Sequence, residues 1–245
     1  MVKDIIDVST FNTITDYAAA AKEVDGVLIR CGVTFWGNFV PSEDKSFRKH
    51  FDGFKATGIP IGVYYYGVAK NADEAKIEAE KCIDILKGLK FELPVYYDVE
   101  DPNRQADISK EELTEVIDTF CSTLEDAGYF SGFYTMVSWA QTKLDYPTLT
   151  KRYASWIAWV SGDPATKLEP DPAAWQFTWK ASIPGIIGDV DRNYFYKDYA
   201  SIIPAAGLNG YSKEEEPEKP SSNVISVSEL TKKLKELGID TIVLD

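Results

Sequence analysis

The sequence has one histidine and three cysteines in 245 residues. A single histidine excludes metal centres built from two or more histidines. A serine–histidine–aspartate site would have to use His50. That residue lies in SFRKHFDGFKATG, an amphipathic helical pattern, so it is expected to be structural or at the surface. Cys31, Cys82 and Cys121 are odd in number, far apart and without a CxxC pair, which argues against a disulfide framework or a zinc site. Buried thiols are the plainer reading. No metal and no cofactor is expected. No apolar run approaches the roughly 18 residues of a membrane span. There is no Lys/Arg-rich run, and 26 basic against 39 acidic residues leave a net charge of −13. Such a chain repels polyanions, so no nucleic-acid partner is expected. The opening MVKDIIDVST runs straight into a strand-like segment with no leader pattern.

What is abundant is apolar and aromatic: 44% hydrophobic residues, with 6 Trp, 14 Tyr and 12 Phe. This length and apolar content suit one large domain with a small appendage. Strand-like runs fall at 4–8, 26–32, 60–67, 94–100, 131–136, 155–160, 173–179 and 189–195. Helical patterns fall between the early ones, at 13–24, 46–57, 72–89 and 110–127. Asn71 and Ser109 precede acidic residues as helix starts do, and Gly58 and Gly128 stand where helices stop. Strands separated by helices imply parallel pairing. Near-continuous apolar strands imply a sheet covered on both faces. The expected class is therefore α/β, a (β/α) barrel of about eight strands, with few helices in its last third because the later connections are short and Pro-rich.

The barrel is expected to occupy 1–209. Residues 210–223, GYSKEEEPEKPSSN, have a linker composition. In 224–245, Val227, Leu230, Leu234 and Leu237 recur at helical spacing before the strand-like IDTIVLD. So short a segment cannot bury a core alone. It reads as the start of a truncated module.

Chemistry in such a barrel sits at the C-terminal ends of the strands. Asp7 ends the first strand, Asp98 and Glu100 end the fourth, and Asp189 and Asp191 belong to the last. In a closed barrel the first and last strands are neighbours, so Asp7 and Asp191 approach one cavity. Asp98 and Glu100 share a face with Tyr96, while Tyr97 and Val99 face the helices. Two acids on one inward face repel, and one carboxyl is held protonated. That is the donor a departing sugar oxygen requires. Asp-x-Glu alone is also a common turn or capping pattern, and Asp101-Pro102 follows it here. Asp189 is expected to face away or to form a turn. Tyr64, Tyr65, Tyr66, Tyr134, Trp159, Trp175 and Trp179 surround these strand ends, where aromatics either pack the core or stack on sugars.

The ordered set DVS, GVLIRCG, GIPIGVYYYG, PVYYDVE, WQFTW and GDVDRNYF resembles glycoside hydrolase family 25, the Chalaropsis-type lysozymes common among phage endolysins, over about residues 3–200. The resemblance implies a flattened, irregular barrel. It also implies hydrolysis of the β-1,4 bond between N-acetylmuramic acid and N-acetylglucosamine in bacterial peptidoglycan. By the same resemblance Glu100 is the general acid/base, Asp98 the second catalytic carboxylate, and Asp7 and Asp191 the supporting acids. Tyr66, Tyr134, Trp175 and Gln176 are expected to bind substrate. Asp98 would steer the substrate's acetamido group, attack directly, or act as a base on water. The protein would act at the cell wall, as an endolysin released from a host cytoplasm or a secreted enzyme with its leader removed. The C-terminal module would bind a wall polymer or mediate self-association. DVSTFN lacks the glycine that many members carry after DVS, so the first loop is expected to differ. Other readings stay open: a chitinase-like barrel glycosidase, a non-catalytic carbohydrate-binding barrel, and a carboxylate-based metal hydrolase, the last weakened by the shortage of histidine.

Overall fold

Runs such as GVLIRCG and IGVYYYG are buried almost throughout, as strands covered on both faces must be. The computed structural model describes residues 2–212. Its first half contains β1 (Lys3–Val8), β2 (Thr13–Ile14), α1 (Tyr17–Ala21), β3 (Gly26–Phe35), β4 (Val40–Glu43), α2 (Phe47–Lys55), β5 (Ile61–Gly67), α3 (Ala72–Leu86), β6 (Val95–Val99) and α4 (Lys110–Asp126). Its second half contains β7 (Ser131–Met136), α5 (Val137–Thr142), α6 (Tyr146–Leu149), β8 (Ala154–Ala158), β9 (Ala174–Ala181), β10 (Ile186–Ile187), β11 (Val190–Phe195) and α7 (Tyr199–Ala205). The linker expected at 210–223 falls almost wholly outside the described residues, and the module expected at 224–245 falls outside them entirely.

Eight strands close a barrel in the order β1, β3, β5, β6, β7, β8, β9, β11 and back to β1. Seven of them run parallel, as expected. β11 does not: it pairs antiparallel with both β9 and β1. The physical reason is the connection. Between β9 and β11 there is only the short β10 and two turns, and a short link can return the chain only antiparallel. Gly185 makes the tighter turn possible, with φ +86° and a Cβ position that would lie 2.1 Å from the Asp16 carbonyl oxygen. Because β11 runs backwards, its start lies at the rim where the parallel strands end.

The segment expected as a helix at 13–24 is mostly something else. Thr13 and Ile14 pair with Ile187 and Ile186, and α1 spans only five residues. Thr13, Ile14 and Thr15 are β-branched and favour the pleated conformation. Asp16 then caps α1 by accepting from the Ala19 N–H at 2.9 Å. α4 begins with a reciprocal capping box between Ser109 and Glu112.

Alternation along the strands splits the core in two. Tyr65, Tyr97 and Val99 face the helices, where Tyr97 stacks on Phe120 at 3.9 Å between ring centres. Tyr64, Tyr96, Tyr134, Trp156 and Phe195 face inward and fill the barrel. Gly132 makes room for them: a Cβ there would lie 2.6 Å from the Tyr96 ring. Removing the Trp156 side chain would cost about 3–5 kcal/mol at such a packed position. This aromatic plug is the floor on which the acids stand. His50 is structural but buried rather than superficial. Its Nδ1 lies 2.9 Å from the Tyr17 hydroxyl and its Nε2 3.2 Å from the Ser9 carbonyl, which ties α2 to the first loop. All three cysteines are buried and free.

Candidate active site

Strand register gathers the acids before any side-chain contact is considered. Asp7 on β1 lies opposite Asp191 on β11. Asp98 on β6 is flanked by Tyr66 on β5 and Tyr134 on β7. Glu100 follows one residue after β6, where the chain leaves the barrel. These groups line one cavity of about 400 Å³, together with Gln176, Trp156, Arg30 and Phe11.

Gln176 organises one side of it. Its Nε2 donates to Asp7 Oδ2 at 3.0 Å and reaches Asp191 Oδ2 at 3.4 Å. Its Oε1 accepts from the Tyr134 hydroxyl and from Trp179 Nε1, both at 2.8 Å. Every bond direction on this amide is thereby used. A second chain runs through Asn193, which accepts from Trp156 Nε1 at 2.8 Å and donates from Nδ2 to Asp7 Oδ2 at 2.9 Å. Asp7 is thus fixed by two buried amides. On the opposite side Tyr66 donates to Asp101 Oδ2 at 3.1 Å, and Asp101 accepts from the N–H groups of Asn103 and Arg104, which shapes the turn behind Glu100. Arg30 brings positive charge to the cavity, with its Nε held by Asp44 Oδ2 at 2.7 Å.

Four carboxyls beside one guanidinium cannot all ionise at neutral pH. Burial pushes Asp7 up to about 6, while its bonds from Asn193 and Gln176 restrain the rise. Glu100 is pushed up to about 7, first by burial and then by the charge of Asp7. Asp191 is pushed to about 8 by burial and by Asp7 and Glu100. Asp98 is raised well above the usual carboxylate range by burial and by Glu100, with Arg30 opposing. Its Oδ1 is buried and has no hydrogen-bond partner among the described residues.

The structure therefore brings together Asp7, Asp98, Glu100, Asp191, Tyr66, Tyr134 and Gln176. Trp175 is a correction. It stands on the outer face of β9, donates from Nε1 to the Trp159 carbonyl at 3.0 Å, and packs near Phe177 and Tyr194. Asp189, expected to face away or to form a turn, lies exposed in the short connection between β10 and β11 and also lines the cavity. Sequence reasoning missed Arg30, Asn193 and Trp156 as neighbours of the acids. Arg30 was legible in principle, as a lone cation inside the apolar run GVLIRCG. Trp179 reaches the site because of an irregularity in the pairing: Gln176 faces Asn193 while Thr178 faces Arg192, so Phe177 is an extra residue on β9. Beyond such a bulge the alternation reverses.

The sequence profile of Glycosyl hydrolases family 25 matches residues 6–186. The chain belongs to this family. The barrel also matches those of solved family 25 members. The modular autolysin LytC of Streptococcus pneumoniae is 30% identical, with 80% of this chain and 47% of that chain covered and a TM-score of 0.69. LytC has also been solved with a synthetic peptidoglycan ligand, with a TM-score of 0.68. The autolytic lysozyme of Clostridium acetobutylicum is 25% identical over 152 residues, 62% of this chain and 44% of that protein. The D-alanyl-L-alanine endopeptidase of Streptococcus phage B30 is 26% identical over 146 residues, 56% of this chain and 32% of that protein. The chain thus matches less than half the length of these curated relatives.

Proposed function

We propose that this family 25 hydrolase cuts bacterial peptidoglycan at the β-1,4 bond between N-acetylmuramic acid and N-acetylglucosamine. The observation that carries the reading is Glu100: a half-buried carboxyl on the wall of an open cavity, pushed up to about 7 beside three further acids. At neutral pH much of it holds a proton, and it can donate that proton to the departing glycosidic oxygen. An oxocarbenium-like centre then forms beside the acid cluster, whose negative charge stabilises it. Asp98 has a buried Oδ1 with no hydrogen-bond partner among the described residues. Asp98 lines the same cavity as Glu100, which supports it as the second catalytic carboxylate, steering the substrate's own acetamido group onto the anomeric carbon. Asp7 and Asp191, tied through Gln176, hold the charge of the cluster in place. Tyr66 and Tyr134 flank Asp98 and supply the surface on which the sugar rests.

In the same reading the enzyme acts at the bacterial wall. No helix among the described residues is long and apolar enough to cross a membrane. Residues 224–245 are assigned to a wall-binding or self-associating role, tethered by 210–223. A tether of that kind raises the local concentration of the barrel at the wall.

The test is product-end analysis: digest peptidoglycan, reduce with borohydride and identify the new terminal sugar alcohols by mass spectrometry, with Glu100→Gln as control. New muramitol ends, absent from the control, are expected. Glucosaminitol ends would overturn the bond assignment. New peptide amino termini without new reducing ends would move the activity to that named for the phage B30 relative.

A further inference from the structure

A second hollow of about 680 Å³ adjoins the catalytic cavity, and the two share Phe11, Arg30 and Tyr66 as a common wall. Its far side is the β3–β4 hairpin, with Val33 and Phe35 from β3 and Ser42 and Glu43 from β4. The hollow is mostly apolar, yet it is open to solvent. Phe11 is 84% exposed and Phe35 51% exposed, and Trp36 at the hairpin tip is 59% exposed. Exposed aromatics concentrated beside a reaction site mark a surface that something covers.

We propose that this groove holds the stem peptide of the muramyl unit beside the scissile bond. The inference rests on the peptidoglycan reading above. Three observations favour a peptide over a further sugar. First, the groove opens directly from the catalytic cavity, so a substituent on a sugar held there enters it without a gap. Second, the carboxylates along the groove are already engaged. Asp44 accepts from Arg30 and from the N–H groups of Thr10 and Ser46, and both oxygens of Glu43 accept from Arg48. A saccharide presents hydroxyls on every side and would find few free partners. A stem rich in alanine can lay its methyl groups on Phe35 and Val33 and leave its amides to water. Third, Lys45 at the groove is exposed and has no carboxylate partner among the described residues. The stem carries a glutamate carboxylate, which the four acids of the catalytic cavity repel and Lys45 attracts.

The test compares two forms of one reduced muropeptide tetrasaccharide, the first bearing its stem peptides and the second stripped of them by an amidase. Phe35→Ser and Lys45→Glu are measured against the unmodified full chain on each. Both side chains are well exposed, so neither change should disturb the core, and circular dichroism checks this. The expected result is a loss of about tenfold in kcat/KM on the peptide-bearing form. The ratio of variant to unmodified enzyme should stay near one on the stripped form. Equal losses on both forms would show that the groove takes sugar and would overturn the proposal. So would no loss on either form. If the unmodified enzyme cuts neither form, the peptidoglycan reading itself falls, and this inference falls with it.

Discussion

Glu100 and Glu78 are both raised to about 7, chiefly by burial, yet they sit in opposite kinds of place. Glu78 on α3 is fully buried. It accepts from the Val68 N–H at 2.9 Å and from the Tyr97 hydroxyl, and it fixes the turn that leads from β5 into α3. Glu100 lies on the wall of a cavity that can admit a sugar. The same displacement therefore serves structure at Glu78 and, in the proposed reading, chemistry at Glu100. A raised carboxyl marks a catalytic acid only where a reacting group can reach it and neighbouring charges respond when it changes state.

The widest separation of the two comes from substitution. Glu100→Gln should lower kcat by about 10³-fold and leave the thermal midpoint unchanged; a loss of less than tenfold would remove Glu100 from the acid role. Glu78→Ala should do the reverse. It strands the Val68 N–H and the Tyr97 hydroxyl and opens a hole, at a cost of about 3 kcal/mol, while the folded fraction keeps its kcat. Denaturant unfolding beside initial rates reads both. A pH series sharpens the contrast. Glu78 has an ordinary value of 4.5 and a folded value of about 7, so the folded state binds its proton more tightly. Its contribution to stability is complete below 4.5 and is lost as the pH rises through 7. Glu78→Gln should flatten the fall in stability across that window. An unchanged slope would mean that Glu78 does not titrate there.

The acids of the site were legible because each ends a strand-like run or opens one, and because closure makes the first and last strands neighbours. Asp191 nonetheless reached Asp7 by a route that periodicity does not contain. Only the reversed direction of β11 puts the start of that strand at the rim where the other acids gather, and direction is set by the short connection through β10. The helix expected at 13–24 failed for a related reason. Its alanines do favour helix, but Thr13 and Ile14 gain strand partners from Ile186 and Ile187, more than 170 residues away. Asn193 and Trp156 carried no local signal, since an amide and an indole inside apolar strands read as core. Their role exists only as the bonded path from Trp156 through Asn193 to Asp7.

A smaller effect tests whether the neighbours of Glu100 set its behaviour. Asp7 stands next after burial among the causes that raise Glu100. Asparagine at position 7 keeps an acceptor for Gln176 and Asn193 but removes the charge. The Glu100 proton is then lost at lower pH, so the alkaline limb of kcat/KM, placed near 7 in the unmodified enzyme, should move to lower pH in Asp7→Asn. The stability profile attributed to Glu78 should not move. A limb that stays in place would mean that burial alone raises Glu100.

The smallest effect separates two tryptophans of β9 that simple alternation would put on the same face. Trp175 precedes the bulge at Phe177 and points outward, with its indole N–H on the Trp159 carbonyl. Trp179 follows the bulge and donates to Gln176 Oε1, the atom that also receives the Tyr134 hydroxyl. Trp179→Phe removes one donor from the amide that orients Asp7 and Asp191, and about a threefold loss in kcat/KM is expected. Trp175→Phe breaks a bond of the same kind on the far face and should change kcat/KM by less than about twofold, within the effect of a surface substitution. Equal losses at both positions would mean that the strand responds as a unit. A larger loss at Trp175 would mean that the bulge does not divide the face that meets substrate from the face that does not.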